Sequence, residues 1–239
     1  MTSVILVGTG RMGALVAQTL EQTGGFEVVA SFDADNVGEL SQAPAADLVI
    51  DFSAPGALDQ VVSYLRRTGA ALVSGTTDLS DAHHEALAAA AAHSAIVWSP
   101  NFSLGVAVLR RLAAQAASAL GGFDIEIVET HHNKKADAPS GTAKALLAAV
   151  DPEGTCTPVF GRDGAVGART AREIGVHAVR GGTVAGTHEV HLFGPDEEVC
   201  LTHRATSRQI FASGAVAAAQ RLLGRPNGLY TFDDLMFGE

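Results

Sequence analysis

The first hundred residues alternate between two structural periods, and this alternation limits the fold more than any other feature. Short apolar runs occupy residues 4–7, 26–32, 48–52, 71–74 and 96–99, with helix-compatible stretches at about 12–22, 55–67 and 81–93. Strands that alternate with helices pair in parallel through right-handed crossovers, so the expected fold is α/β, a Rossmann-type doubly wound parallel sheet. The alanine tract near residue 90 belongs to the third helix, because alanine is the best helix former, and Ser80 is placed to cap it.

After Leu104 an Ala/Leu-rich helix runs to about residue 120, where Gly121 and Gly122 stop it. The pattern then changes. "FDIEIVET" alternates as a half-buried strand, a short helix follows Gly141, and strand-like runs recur at 174–179, 187–193 and 199–206. Strands in succession suggest a mixed or antiparallel sheet, so a smaller α+β domain is expected from about residue 103. The segment 151–167 reads as loop-rich and receives no role. A helix at about 211–223 and a tail with Tyr230 and Phe232 close the chain.

Composition narrows the function classes. A formal net charge of -10 argues against nucleic-acid binding, which needs a basic face to displace counterions. A local cationic pocket for a small anion remains compatible with an acidic surface. No apolar run reaches the roughly 20 residues that span a bilayer, and the N-terminus carries no basic leader, so a cytoplasmic protein is expected. Cys156 and Cys200 fit no metal-ligand spacing and are expected to be buried small hydrophobes in a reducing compartment.

Gly8, Gly10 and Gly13 form GxGxxG directly after the first strand and at the mouth of the first helix. Glycine there permits a tight turn, close backbone approach to a pyrophosphate, and helix–strand packing, while the helix amides receive the phosphates. Thr9, Arg11 and Met12 complete the loop. Asp33 ends the second strand 20 residues beyond Gly13, where a carboxylate accepts from adenosine ribose hydroxyls. Asp33 is followed by Ala34 and Asp35 and not by arginine, which favours NADH; Arg11 partly offsets this, so NADPH is expected to be tolerated. The loops Gly75, Thr76, Thr77 and Ser99, Pro100, Asn101, Phe102 each follow a predicted strand, at the sheet edge where a nicotinamide rests. Thr76, Thr77 and Asn101 offer hydrogen bonds, and Phe102 offers a ring face. Plain turn chemistry is the competing explanation for these residues.

Residues 131–143, "HHNKKADAPSGTA", concentrate cationic and proton-donating groups in an acidic chain. A strand is expected to end at Thr130, a loop to carry His131 to Pro139, and a helix to start near Ser140. Ser140 is a candidate cap, and the amides of Gly141 and Thr142 form an anion site at the helix N-terminus. Lys135 and one or both of His131 and His132 then face a carboxylate-bearing ligand and supply a general acid. Adjacent histidines invite a metal, but no carboxylate or cysteine stands at ligand spacing, so none is expected. His83 and His84, on a helix expected to be exposed, receive no role.

"ETHHNKKADAPSGTA" resembles the E-x-H-H-x-x-K-x-D-A-P-S-G-T-A signature of the dihydrodipicolinate reductase family. "VIDFS", "GTTDLS", "SPNFSLGV", "HAVRGGTVAGTHEV" and "SRQIFASGAVAAA" match it in order, over almost the whole chain. One difference is the loop "GTGRMG", a residue shorter than the family's frequent G-x-x-G-x-M-G. The resemblance implies a dinucleotide-binding domain from residues 1–102 and 208–239, and a substrate-binding and oligomerisation domain at 103–207, in a homotetramer. It implies that His131 and Lys135 are the catalytic pair, and that His132, Lys135, Gly141 and Thr142 bind a cyclic dicarboxylate. Gly8 to Met12, Asp33, Gly75 to Thr77 and Ser99 to Phe102 would contact NAD(P)H. The implied reaction reduces 4-hydroxy-tetrahydrodipicolinate in lysine and diaminopimelate synthesis, with domain closure uniting the two sets of loops. Another Rossmann-type oxidoreductase acting on a small acid or imine would have no reason to keep residues 131–143 as they are. A cofactor-sensing regulator would be expected to show a DNA-binding or interaction segment or to lack the proton donor, neither of which this acidic sequence shows.

Overall fold

The computed structural model describes residues 1–238. In chain order it contains β1 (Thr2–Val7), α1 (Arg11–Thr23), β2 (Phe26–Phe32), β3 (Leu48–Asp51), α2 (Leu58–Thr68), β4 (Ala71–Ser74), α3 (Asp81–Ala90), β5 (Ala95–Trp98) and α4 (Leu104–Ala119). These are followed by β6 (Asp124–His131), α5 (Gly141–Val150), β7 (Thr157–Val159), β8 (Glu173–Arg180), β9 (Gly186–Phe193), β10 (Glu198–Ala205), α6 (Gln209–Leu222), β11 (Gly228–Tyr230) and α7 (Phe232–Phe237). The chain divides into two compact units, Met1–Ser103 with Gln209–Glu239, and Leu104–Arg208.

The first unit is a doubly wound parallel sheet with strand order β11-β5-β4-β3-β1-β2. β1 pairs with β2 on one side and β3 on the other, so the strand order reverses at β1. A crevice opens outside the carboxyl ends at such a switch point. β3 and β4 are buried at every position, as expected of strands covered on both faces. α2 lays Leu58, Val61, Val62 and Leu65 on this core, each at most 4% exposed. Full burial of such a side chain contributes about 1.5–3 kcal/mol. α6 returns from the far end of the sequence to pack on α1, where Gln209 Nε2 donates to Thr19 Oγ1 at 2.7 Å. The tail is ordered: β11 extends the sheet beside β5, and Thr231 caps α7 through the Asp234 amide.

One buried carboxylate ties this unit's loops together. Asp51, 1% exposed, ends β3 and accepts from Ser53 Oγ at 2.5 Å, Ser74 Oγ at 2.9 Å and Thr76 Oγ1 at 2.9 Å. A carboxyl group removed from water is tolerated only when its oxygens are hydrogen-bonded in this way.

The second unit has a mixed five-stranded sheet, order β10-β9-β6-β8-β7, with β6, β8 and β7 parallel and β9 antiparallel to both β6 and β10. One face carries Ile127, Ile174, Val176, Val190 and Leu192 against Leu109 and Ala113 of α4 and Ala143 and Leu146 of α5. On the strand bearing the His-Lys stretch, Ile127, Glu129 and His131 are the buried positions, so the period-2 alternation points Glu129 and His131 inward. The other face carries Glu126, which accepts from Arg162 Nη2 at 2.9 Å, Arg169 Nε at 3.2 Å and His177 Nε2 at 2.7 Å. The two arginines pull the segment before β8 onto the sheet, and the short β7 forms within the stretch the sequence left as loop.

Several local expectations change. Cys200 is exposed and Cys156 half-buried, because β10 alternates half-buried and exposed positions and Cys200 falls on the open side. β6 continues one residue past Thr130 to include His131. His83 and His84 are half-buried: His83 answers the Ser80 amide in a capping box, and His84 stands edge-on to Trp98 with ring centroids 4.5 Å apart. The second helix opens with a separate 3-10 turn at Pro55–Ala57.

Asp51→Ala strands three hydroxyls, and a loss of about 2–4 kcal/mol of stability is expected in chemical denaturation. Glu126 is partly buried, which opposes ionisation, but its bonds to Arg162, His177 and Arg169 prevail and bring its pKa to about 2. A carboxylate depressed by folding adds stability above its unfolded value and loses it as pH falls, here between about 4.5 and about 2. Arg169→Leu should therefore move acid unfolding to higher pH; an unchanged acid midpoint would contradict this.

Candidate active site

The first cluster of candidate residues lies at the carboxyl edge of the parallel sheet. Gly8 adopts φ +93°, and a Cβ there would lie 2.4 Å from the Phe52 carbonyl oxygen. At Gly13 a Cβ would meet the Gly8 carbonyl oxygen at 1.8 Å, so the α1 start and the β1 end touch backbone to backbone. Gly10, by contrast, has no atom within 4 Å of its would-be Cβ. It serves as N-cap of α1 without any side-chain capping bond, leaving open space before the first helical amides. Thr9 and Arg11 are exposed and Met12 is half-buried. Asp33 stands beside this loop: its carboxylate accepts from Thr9 Oγ1 at 3.3 Å and from the Asp35 amide at 3.0 Å. The glycines and a neighbouring carboxylate thus form a cradle that fits the pyrophosphate and ribose of a dinucleotide.

The other two loops split between structural and open positions. Gly75 is pressed against Phe52, whose ring a Cβ would meet at 2.2 Å. Thr76 is 2% exposed, donates its hydroxyl to Asp51, and accepts from Trp98 Nε1 at 2.8 Å through its carbonyl. Phe102 is 1% exposed, with its ring packed edge-on to Phe232 at 5.2 Å and tilted on Phe52 at 5.9 Å. Neither Thr76 nor Phe102 offers the side chain the sequence assigned to it; tertiary packing has claimed both. Asn101 Oδ1 accepts from the Ser103 amide at 2.8 Å, and Ser99 Oγ donates to the Asn101 carbonyl at 2.8 Å. Thr77 and Pro100 remain exposed.

The second cluster is in the other unit, at the carboxyl ends of β6 and β8. Glu129 is 0% exposed. It accepts from Arg180 Nη1 at 2.7 Å and Nη2 at 2.8 Å, from the Ser140 amide at 3.0 Å, and pairs with His131 Nδ1 at 2.5 Å. Burial opposes its ionisation, but these bonds outweigh burial and hold its pKa below the usual carboxylate value. Removing one partner of a buried pair of this kind costs about 3–5 kcal/mol. His131, 9% exposed, is held below its ordinary pKa mainly by burial, which the adjacent Glu129 opposes. His188 lies across from Glu129 in the β6–β9 register, its ring 5.1 Å from that of His131 and its Nε2 3.2 Å from Ser140 Oγ. Burial, then the nearby His131, pushes its pKa down to about 4.

Ser140 starts α5 with its hydroxyl accepting from the Ala143 amide at 3.2 Å. Gly141 is exposed and Thr142 half-buried at this helix end. Lys135 Nζ pairs with Asp137 at 2.8 Å, and the Lys135 amide donates to the half-buried His132 at its carbonyl, 3.1 Å away. The β6 end, the β8 end and the α5 start thus bring His131, Arg180 and the Ser140 amide onto one buried acid, with Lys135 on the loop between β6 and α5. Glu129, Arg180 and His188 join this cluster from outside residues 131–143. Glu129 was legible as the residue two before His131 on the same face; Arg180 and His188 lie 49 and 57 residues beyond His131, and only strand pairing brings them there.

Two family models match, described as dihydrodipicolinate reductase, N-terminus, over residues 2–102, and dihydrodipicolinate reductase, C-terminus, over residues 105–236. The chain is 41% identical over 248 residues to the 4-hydroxy-tetrahydrodipicolinate reductase of Caldanaerobacter subterraneus subsp. tengcongensis, covering 99% of this chain and 98% of that one. It is 42% identical over 242 residues to the enzyme of the same name from Stenotrophomonas maltophilia, at 95% and 94% coverage. Among solved structures, the dipicolinate-bound dihydrodipicolinate reductase from Paenisporosarcina sp. TG-14 superposes with TM-score 0.78 at 24% identity, covering 99% of this chain and 100% of that one. A glycine-cradled parallel sheet, the His-Lys loop over a buried glutamate, and full-length similarity at this level agree: the chain belongs to the dihydrodipicolinate reductase family.

Proposed function

We propose that the chain reduces 4-hydroxy-tetrahydrodipicolinate to tetrahydrodipicolinate with NADH, tolerating NADPH, in lysine and diaminopimelate biosynthesis. The observation that carries this reading is the His131–Glu129 pair beside Lys135 and the α5 start, in a chain 41% identical along its length to a reductase of that name. The first unit would bind the dinucleotide and the second the cyclic dicarboxylate. A cytoplasmic homotetramer is part of the proposal and draws its support from the family resemblance. Among the described residues no helix is long and apolar enough to cross a membrane.

The reaction gains one hydride and one proton and releases one water. When bound, the reduced nicotinamide supplies the hydride. The glycine cradle at Gly8, Gly10 and Gly13 holds pyrophosphate against the α1 amides, and Asp33 accepts from the ribose hydroxyls. Backbone at Gly75, Thr77 and Ser99 to Asn101 lines the approach of the nicotinamide end. The amides of Gly141 and Thr142 with His132 and Lys135 neutralise the substrate's carboxylates, since fixed donors and a cation cost little reorganisation. Once water has left and the conjugated imine has gained the hydride, His131 and Lys135 form the pair that hands a proton to the resulting enamine.

His131→Gln is expected to lower kcat by about 10²–10⁴-fold, and Lys135→Met to raise KM as well as lower kcat. Unchanged turnover in both would remove these residues from the mechanism. Gly10→Ala adds a side chain in open space, so it should fold normally yet bind NADH at least about tenfold more weakly by titration. Asp33→Ala should raise the NADPH-to-NADH activity ratio, and an unaltered ratio would deny Asp33 its ribose contact. Both NADH and pyridine-2,6-dicarboxylate should raise the melting temperature; a protein stabilised by the first alone would fit the sensor reading instead.

A further inference from the structure

The surroundings of His131 are built on a residue outside the His-Lys stretch. Arg180 lies beside His131 in the parallel β6–β8 register. Both of its terminal nitrogens bond Glu129, at 2.7 and 2.8 Å, and Nη2 also donates to the Asp137 carbonyl at 2.7 Å, on the loop where Asp137 pairs with Lys135. The turn after Arg180 is joined to the same loop: the Gly181 amide donates to the His131 carbonyl at 2.9 Å, and the Asn133 amide to the Gly182 carbonyl at 3.2 Å. On the other side Gly186 keeps the ring clear, since a Cβ there would stand 3.0 Å from His131 Nε2.

We propose that Arg180 is a positioning residue for His131, acting through Glu129. The two-pronged ion pair pins the carboxylate, the carboxylate accepts a hydrogen bond from Nδ1–H, and Nε2 is left as the ring atom that meets a ligand. The inference rests on the reading of His131 as one of the proton-donating pair.

Charge gives the arrangement a second consequence. The groups facing the imidazole are Glu129 on its own strand, Arg180 on β8, His188 on β9, and Lys135 with Asp137 on the loop. Burial and the cations Arg180 and Lys135 disfavour protonation of His131, whereas Glu129 favours it. Because Arg180 already balances Glu129, the neutral form of the ring is favoured. A ligand that brings two carboxylates adds the negative charge needed for Nε2 to take up a proton. The site therefore arms its acid when a dianion arrives.

The test is a ring-NMR titration of His131 in the folded, ligand-free protein, which needs no activity. Arg180→Met leaves Glu129 unbalanced and should raise the His131 pKa by about one pH unit or more; Glu129→Gln removes the anion and should lower it by a similar amount. The double variant E129Q/R180M should return it towards the wild-type value and guards against loss of folding in either single variant. Arg180→Lys keeps the charge without the fork, so it should hold the titration near wild type while lowering kcat. A purely structural Arg180 would lower melting temperature in both single variants without opposite shifts; shifts of the same sign, or none, would overturn the proposal. Pyridine-2,6-dicarboxylate should raise the His131 value in the wild type, and a bound ligand that leaves it unmoved would overturn the arming step. Failure of that ligand to bind, with the opposite shifts intact, would count against the substrate reading and leave Arg180 its role.

Discussion

A carboxylate at 0% exposure is tolerated only if both its oxygens are answered by charge and hydrogen bonds, and Glu129 imposes that requirement on the second unit. Its partners come from three places: Arg180 from β8, the Ser140 amide from the start of α5, and His131 from its own strand. Satisfying one acid therefore fixes the end of two strands, the start of a helix, and the loop between them. The same carboxylate holds the His131 ring through Nδ1 and the first residue of the α5 cap through the Ser140 amide. On the proposed function, stability and activity share one constraint, so the residues assigned to the chemistry are also among the most costly to replace.

The first unit uses the same device. Asp51 closes β3 and gathers Ser53, Ser74 and Thr76, which fixes the loops after β3 and β4 along the sheet edge. Phe52, next to it, fills the space left by Gly75 and packs on Phe102, which in turn meets Phe232. Loops that would otherwise be mobile are thus held from below by one acid and a file of aromatic rings. What they leave open is Thr77 and Pro100, together with the uncrowded space at Gly10.

The strand–helix alternation made the doubly wound sheet legible because apolar periodicity reports burial directly, and GxGxxG followed by Asp33 located the cradle. The His-Lys stretch was legible because chemistry-bearing residues there are contiguous. What stayed hidden depends on pairing across sequence distance. Arg180 and His188 reach His131 only through the β6–β8 and β6–β9 registers. Thr76 and Phe102 look like ligand-facing loop residues, and it takes Asp51 and Phe232 to show that their side chains point inward. Cys200 illustrates the opposite error: cysteine's general burial habit was outweighed by its place on the open face of β10.

The most direct measurement is the rate of NADH oxidation, followed by absorbance, when 4-hydroxy-tetrahydrodipicolinate is generated in situ from pyruvate and aspartate semialdehyde by the preceding enzyme. Rapid oxidation that requires the generated substrate, faster with NADH than with NADPH, is the result expected. A folded protein that binds NADH but oxidises neither cofactor would contradict the account, and would mean that this site serves a different acid or imine.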